Sequence, residues 1–192
     1  EWAGVNPVNG NPLYVDDDGN ITENFNEVNP KAIFGTYFAP WSGGVTFDAS
    51  YKGFNLSALG SWVYGNVIFN NQTFFQENPN FAQFNLSTAM NDIWREEGDI
   101  TEIQRIGTPR QFSSKDLEDG SFFRLRNVQL SYNVPLNSRI LDAVSAISVF
   151  VQGKNLLTIT EFTGFDPEDS NNIAQYSYPD SRAYTFGLNV TF

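Results

Sequence analysis

The chain has 192 residues, with 11 Lys plus Arg against 22 Asp plus Glu, a net charge of −11, and neither cysteine nor histidine. That composition excludes thiol nucleophiles, Ser-His-Asp triads, disulfides and imidazole or thiolate metal centres. It also leaves too few cations for a nucleic-acid groove, so no nucleic-acid partner is expected. Aromatic residues are 16% of the chain, 18 of them Phe, while no run of about 18 apolar residues offers a membrane helix.

In chain order, the stretch from Gly10 to Gly44 is rich in Asn, Pro and Gly and reads as a loop. Alternation at period two, the mark of a strand with one apolar and one polar face, begins at 43–52. Here Val45, Phe47, Ala49 and Tyr51 share a face, and Lys52-Gly53 is a two-residue hairpin signal. A second strand, 54–69, carries Phe54, Leu56, Ala58, Gly60, Trp62 and Tyr64 on one face. In the long connection that follows, Leu86, Met90, Ile93 and Trp94 recur at helical spacing. One short helix is expected there, with Asn85 or Ser87 as cap and Gly98 as stop. Strand 121–134 alternates Val128, Leu130, Tyr132 and Val134 with Asn127, Gln129, Ser131 and Asn133, strand 146–157 carries Ile147, Val149 and Val151, and strand 182–192 closes the series. In the last strand Tyr184, Phe186, Leu188, Val190 and Phe192 form the apolar face.

Five strands with consistently polar second faces are not a buried sheet. Their connections alternate between short turns and long loops, the asymmetry of outer-membrane barrels, whose short turns face the periplasm. Roughly 9–11 residues suffice for a tilted strand to cross a bilayer. The fold expected is therefore all-β: an antiparallel transmembrane β-barrel segment of about five strands with long extracellular loops and one short loop helix. The first residues, Glu1-Trp2-Ala3-Gly4, contain neither an initiator Met nor a basic, apolar leader, and suggest a mature protein or a piece of a longer one.

Several stretches carry a family resemblance: Gly120-Ser121-Phe122-Phe123-Arg124-Leu125-Arg126-Asn127-Val128-Gln129-Leu130-Ser131-Tyr132, then Val134-Pro135, Val149-Phe150-Val151-Gln152-Gly153-Lys154-Asn155-Leu156-Leu157-Thr158, Gly164-Phe165-Asp166-Pro167-Glu168, Tyr178-Pro179 and Tyr184 to Phe192. With the hairpin Tyr51-Lys52-Gly53-Phe54-Asn55-Leu56-Ser57, they resemble the SusC/RagA family of TonB-dependent outer-membrane transporters of Bacteroidetes. The resemblance implies a nutrient importer of glycans or peptides in the bacterial outer membrane, without catalysis or cofactor. Its barrel would have about 22 strands. The expected partners are the remainder of that barrel and its plug, a SusD-like surface lipoprotein, TonB acting through an N-terminal part not in this sequence, the barrel-insertion machinery and outer-membrane lipid. The chain 1–192 would be the C-terminal part of the barrel, without the plug, its outer strands pairing with strands beyond it.

The same resemblance implies that Tyr184, Phe186, Leu188, Val190 and Phe192 are the assembly signal read by the insertion machinery. An exposed strand edge suits capture by β-augmentation, while interfacial anchoring is the plainer use of Phe192. Asp16 and Asp18, in Asp16-Asp17-Asp18-Gly19-Asn20, fall at ligand positions of a calcium-loop pattern. Tyr14 and Phe25, however, stand where that pattern needs acids, so a solvated turn is the better reading. Asp166-Pro167-Glu168-Asp169 is likewise a turn former that has the oxygens for a cation or substrate hydroxyls. Arg124 and Arg126 share a face with Val128, Leu130 and Tyr132, which would place them at the outer leaflet unless a bulge turns them inward. Trp41, Phe74, Phe75, Phe81 and Phe84 are candidates for stacking on sugars or for loop packing. The alternative to a transporter segment is a soluble, secreted carbohydrate-binding β-sandwich; a glycosidase carried by two carboxylates is a third reading without positional support.

Overall fold

The computed structural model describes residues 1–28, 34–81, 83–136, 144–168, 173–174 and 177–192. The elements are β1 (Trp2–Val5), β2 (Pro12–Val15), β3 (Ile21–Thr22), β4 (Trp41–Tyr51), β5 (Phe54–Tyr64), β6 (Val67–Asn70), α1 (Asn71–Gln76), β7 (Leu117–Asp119), β8 (Phe122–Val134), β9 (Ala146–Thr160), β10 (Ile173–Ala174) and β11 (Ala183–Thr191), with short 3-10 turns at Phe25–Glu27, Thr88–Asp92 and Ser114–Asp116. No described helix is long and apolar enough to cross a membrane, so any crossing is made by strands. The described residues form two compact units.

One unit, Ala39–Gly65, Gly120–Glu161 and Tyr178–Phe192, is a five-stranded antiparallel sheet in the order β11-β9-β8-β5-β4. Its ladders put Phe47 opposite Ala58, Ala58 opposite Val128, Leu130 opposite Val151 and Val151 opposite Phe186, one apolar face running across all five strands. The other face pairs Ser57 with Gln129 and Gln129 with Gln152, whose amide donates to Asn127 Oδ1 at 2.6 Å. The apolar face is exposed: Phe47 is 57% and Phe186 79% accessible. A β-sandwich would cover that face with a second sheet, so this unit does not fit the carbohydrate-binding sandwich. β4 and β11 each pair on one side only among the described residues, and a sheet left open this way has two unsatisfied edges.

The β4–β5 hairpin turns on Lys52 (φ 47°) and Gly53 (φ 87°), two left-handed residues of the kind that match the twist of tight hairpins. At its mouth Phe54 lies against Tyr132 with ring centroids 4.5 Å apart. β5 does not run to 69 as its alternation suggests. Gly65 (φ 85°) breaks it after Tyr64, and Val67–Asn70 joins a separate three-stranded sheet, β10-β6-β7.

The second unit, Glu1–Phe38, Asn66–Asp119 and Phe162–Ser177, holds that small sheet and the β1-β2-β3 meander. The meander occupies part of what the Asn, Pro and Gly content marks as loop. Ile68, Phe162 and Ala174 form the buried apolar cluster. The helix expected around Leu86–Trp94 is a 3-10 turn, Thr88–Asp92, whose cap Ser87 accepts from the Ala89 amide. The α-helix is α1 instead, capped by Asn70, whose Oδ1 accepts from the amides of Gln72 and Thr73.

Candidate functional site

The features that bear on function lie on the two faces of the five-stranded sheet and in the unit built around α1. On the sheet, the decisive detail is a break in register. Leu59 pairs with Asn127 and Gly60 with Leu125, so Arg126 is an extra residue on β8. The β8–β9 ladder shifts at the same place, but there the extra residue is on β9: Asn155 (φ 50°) and Leu156 stand opposite Arg126 alone. One inserted residue reverses which face each side chain takes. Phe123 and Leu125 thereby stay on the apolar face with Val128 and Leu130, while Arg124 moves to the polar one. It is 2% exposed, donates from Nε to Thr158 Oγ1 at 3.1 Å and meets Asp180 Oδ2 at 3.4 Å. Arg126 donates from Nε to Ser61 Oγ at 2.7 Å and also faces Asp180, at 4.0 Å. The outer-leaflet placement of these arginines is thus replaced by the inward one: Asp180 ties the segment before β11 to two cations on β8.

Tyr184, Phe186, Leu188 and Val190 follow one another along β11, opposite Gly153, Val151, Val149 and Ile147, and Phe192 lies just beyond, exposed. The backbone edge of β11 away from β9 has no neighbour among the described residues. A Cβ at Gly187 would lie 2.3 Å from the Phe150 ring, so a larger residue there requires that ring to shift.

Asp16 and Asp18 are brought together by a turn rather than by a ligand cage. Asp16 Oδ1 accepts from the amides of Asp18 (2.9 Å) and Asn20 (2.8 Å), with Gly19 at φ 85°. The Asn20 amide holds the Asp16 carboxyl below its ordinary range, and no group of three potential metal-ligating acids occurs among the described residues. Asp166 does the same work, accepting from the Glu168 amide at 2.9 Å; Asp169 lies outside the described residues.

Two groupings in the second unit were hidden in the linear sequence, because their members are far apart in it. Glu23 accepts from the side-chain amides of Asn6 (2.6 Å), Asn9 (2.8 Å) and Asn11 (2.7 Å); the Asn11 bond leads the effects that hold its carboxyl below the ordinary range. In the interior, Arg110 pairs with the fully buried Asp116 and reaches the Glu77 carbonyl at 3.1 Å. Burial raises the Tyr14 hydroxyl to about 12, so that it stays neutral. Of the candidate rings, Phe74 is buried and stacked on Phe112 at 4.0 Å, Phe75 stacks on Phe81 at 5.3 Å, and Phe84 meets Phe81 edge-on. Trp41 opens β4 instead.

No protein-family model matches the sequence. It is 36% identical over 162 residues to TonB-dependent receptor P26 of Formosa agariphila, covering 74% of this chain and 16% of that protein. TonB-dependent receptor P3 of the same organism is 28% identical over 198 residues, covering 95% of this chain and 19% of the relative. Among solved structures, the RagAB peptide transporter superposes with a TM-score of 0.91 at 32% identity, over 100% of this chain and 22% of that one. The RagAB peptide importer in its open-open state gives 0.89 at 30%, again over 100% of this chain and 22% of that one. The chain thus spans less than a quarter of the length of the proteins it matches. Sequence and fold together assign the chain to the SusC/RagA family of TonB-dependent outer-membrane transporters, as a segment of barrel wall with the loops its strands carry.

Proposed function

We propose that this chain is the C-terminal portion of an outer-membrane importer that takes up peptides, working with a SusD-like lipoprotein over its mouth and driven by TonB through residues outside this sequence. The likeness to RagAB at 32% identity and a TM-score of 0.91 carries the reading, because glycan and peptide importers are not distinguished by the alternation of the strands. Within the importer the sheet contributes five wall strands. Their apolar face is solvated by lipid and their Asn, Gln, Ser and Thr face by the water of the lumen. The long connections are the extracellular loops, and Lys52-Gly53 is a periplasmic turn. The chain's part is binding and passage, not catalysis.

Under the same proposal β11 is the insertion signal. Its free edge and the rings at Tyr184, Phe186 and Phe192 suit capture by a partner sheet, after which the edge pairs with a strand elsewhere in the full barrel.

Two measurements on the full-length transporter test this. Disrupting its gene should abolish uptake of labelled oligopeptides by the source bacterium and leave oligosaccharide uptake unchanged; the reverse pattern rejects peptide cargo. Removing Phe192 should lower the amount inserted in the outer membrane, and unchanged surface levels reject the signal role.

A further inference from the structure

α1 separates its two phenylalanines. Capping by Asn70 sets the helix so that Phe74 packs inward on Phe112, while Phe75 faces the chain that follows and stacks on Phe81 with the rings 23° from parallel. The Ser87 amide donates to the Gln76 carbonyl at 2.9 Å, drawing that chain back onto the end of the helix. Between them lies a cavity of about 420 Å³ lined by Phe75, Gln76, Phe84 and Asn85. Among the described residues the lining has no ionisable group. The side-chain amides of Gln76 and Asn85 have no hydrogen-bond partner among the described residues, whereas most carboxamides near them are engaged: Asn70 caps the helix and Asn80 donates to the Thr108 carbonyl.

Two phenyl walls and two free carboxamides select by chemistry. A charged side chain entering here would lose water without gaining a counter-ion. A sugar ring would bring about five hydroxyls to a lining with two polar partners, and unpaired buried hydroxyls are costly. An aliphatic or aromatic side chain loses nothing polar. The peptide unit next to it presents one N–H and one C=O, the pair that a carboxamide matches with its own acceptor and donor. We propose that this cavity is a subsite for one uncharged apolar side chain of a peptide cargo, Leu- or Phe-like in size, with Gln76 and Asn85 holding the adjoining backbone. The proposal rests on the peptide reading above and adds to it a position and a selectivity.

The test is isothermal titration of the purified full-length transporter with two octapeptide sets, one carrying a single Leu or Phe in a Ser/Ala background and one without it. Wild type should prefer the first set. Phe84→Ala, at a side chain that is 58% exposed, should weaken binding of the first set about tenfold and of the second less than about twofold, erasing the preference. Asn85→Ala combined with Gln76→Ala should weaken both sets alike, because it removes backbone contacts. A wild type without preference, a Phe84→Ala variant that keeps it, or an equal loss on both sets in Phe84→Ala overturns the subsite while leaving peptide import standing. Wild type that binds neither peptide set but binds oligosaccharides overturns both.

Discussion

Glu23 shows how a single side chain organises a loop that looks featureless in sequence. Its carboxylate gathers Asn6, Asn9 and Asn11, and with their amide nitrogens committed, Asn6 Oδ1 accepts from the Val8 amide and Asn9 Oδ1 from the Asn11 amide, each at 2.9 Å. The amides favour the ionised acid, so the native carboxyl titrates below its ordinary 4.5. Stability of this kind is present above the ordinary value and is lost as pH falls through the lower native one. The site is exposed, so the effect is local and modest. Hydrogen exchange at Val8 and Asn11, corrected for the intrinsic pH dependence, should accelerate on acidification below about pH 4.5, and Glu23→Gln should remove that step. The signal was absent from the sequence because a carboxylate 12 to 17 positions from its partners has no local pattern. Asp16, by contrast, was legible as a turn because its partners are two and four residues on.

At the level of strands, period-two alternation told most of what the sheet does, since each face must satisfy a different solvent. It failed where one residue changes the count. Arg124 and Arg126 share parity with Val128 and Leu130, and only pairing across β5 reveals Arg126 as the insertion. It failed again at Gly65, which ends β5 though the alternation continues, and at α1, whose six residues are too few for a periodic signal. The bulge makes a strong prediction. Because the bulge keeps Leu125 on the apolar face opposite Gly60, Leu125→Arg sets a cation toward lipid, which costs about 2–4 kcal/mol at mid-bilayer. The full-length Leu125→Arg variant should lose the compact, heat-modifiable gel band of a folded barrel, while Arg126→Gly, which keeps the extra residue, should retain it.

For the whole chain, the two units differ in what they bury. The α1 unit encloses Ile68, Phe162 and Ala174 together with the Arg110–Asp116 pair. The sheet encloses nothing comparable: its apolar face, from Phe47 through Leu130 to Phe186, stands exposed, and both edges are open among the described residues. Backbone groups at such edges can be satisfied in lipid only by closing the barrel, which needs at least about eight strands against the five present. Net charge works against association in water but acts over a Debye length of about 8 Å, whereas apolar burial gains about 25 cal/mol per Å² at contact. At −11 over 192 residues the charge therefore slows aggregation without preventing it. Produced alone, the chain should elute from size exclusion as aggregates in aqueous buffer and disperse only in detergent, by light scattering. Lys substituted together at Phe47 and Phe186, one on each edge strand, should shift it toward smaller species. A monodisperse monomer in water without detergent would contradict the lipid-facing assignment of the sheet and return the soluble β-domain reading to consideration.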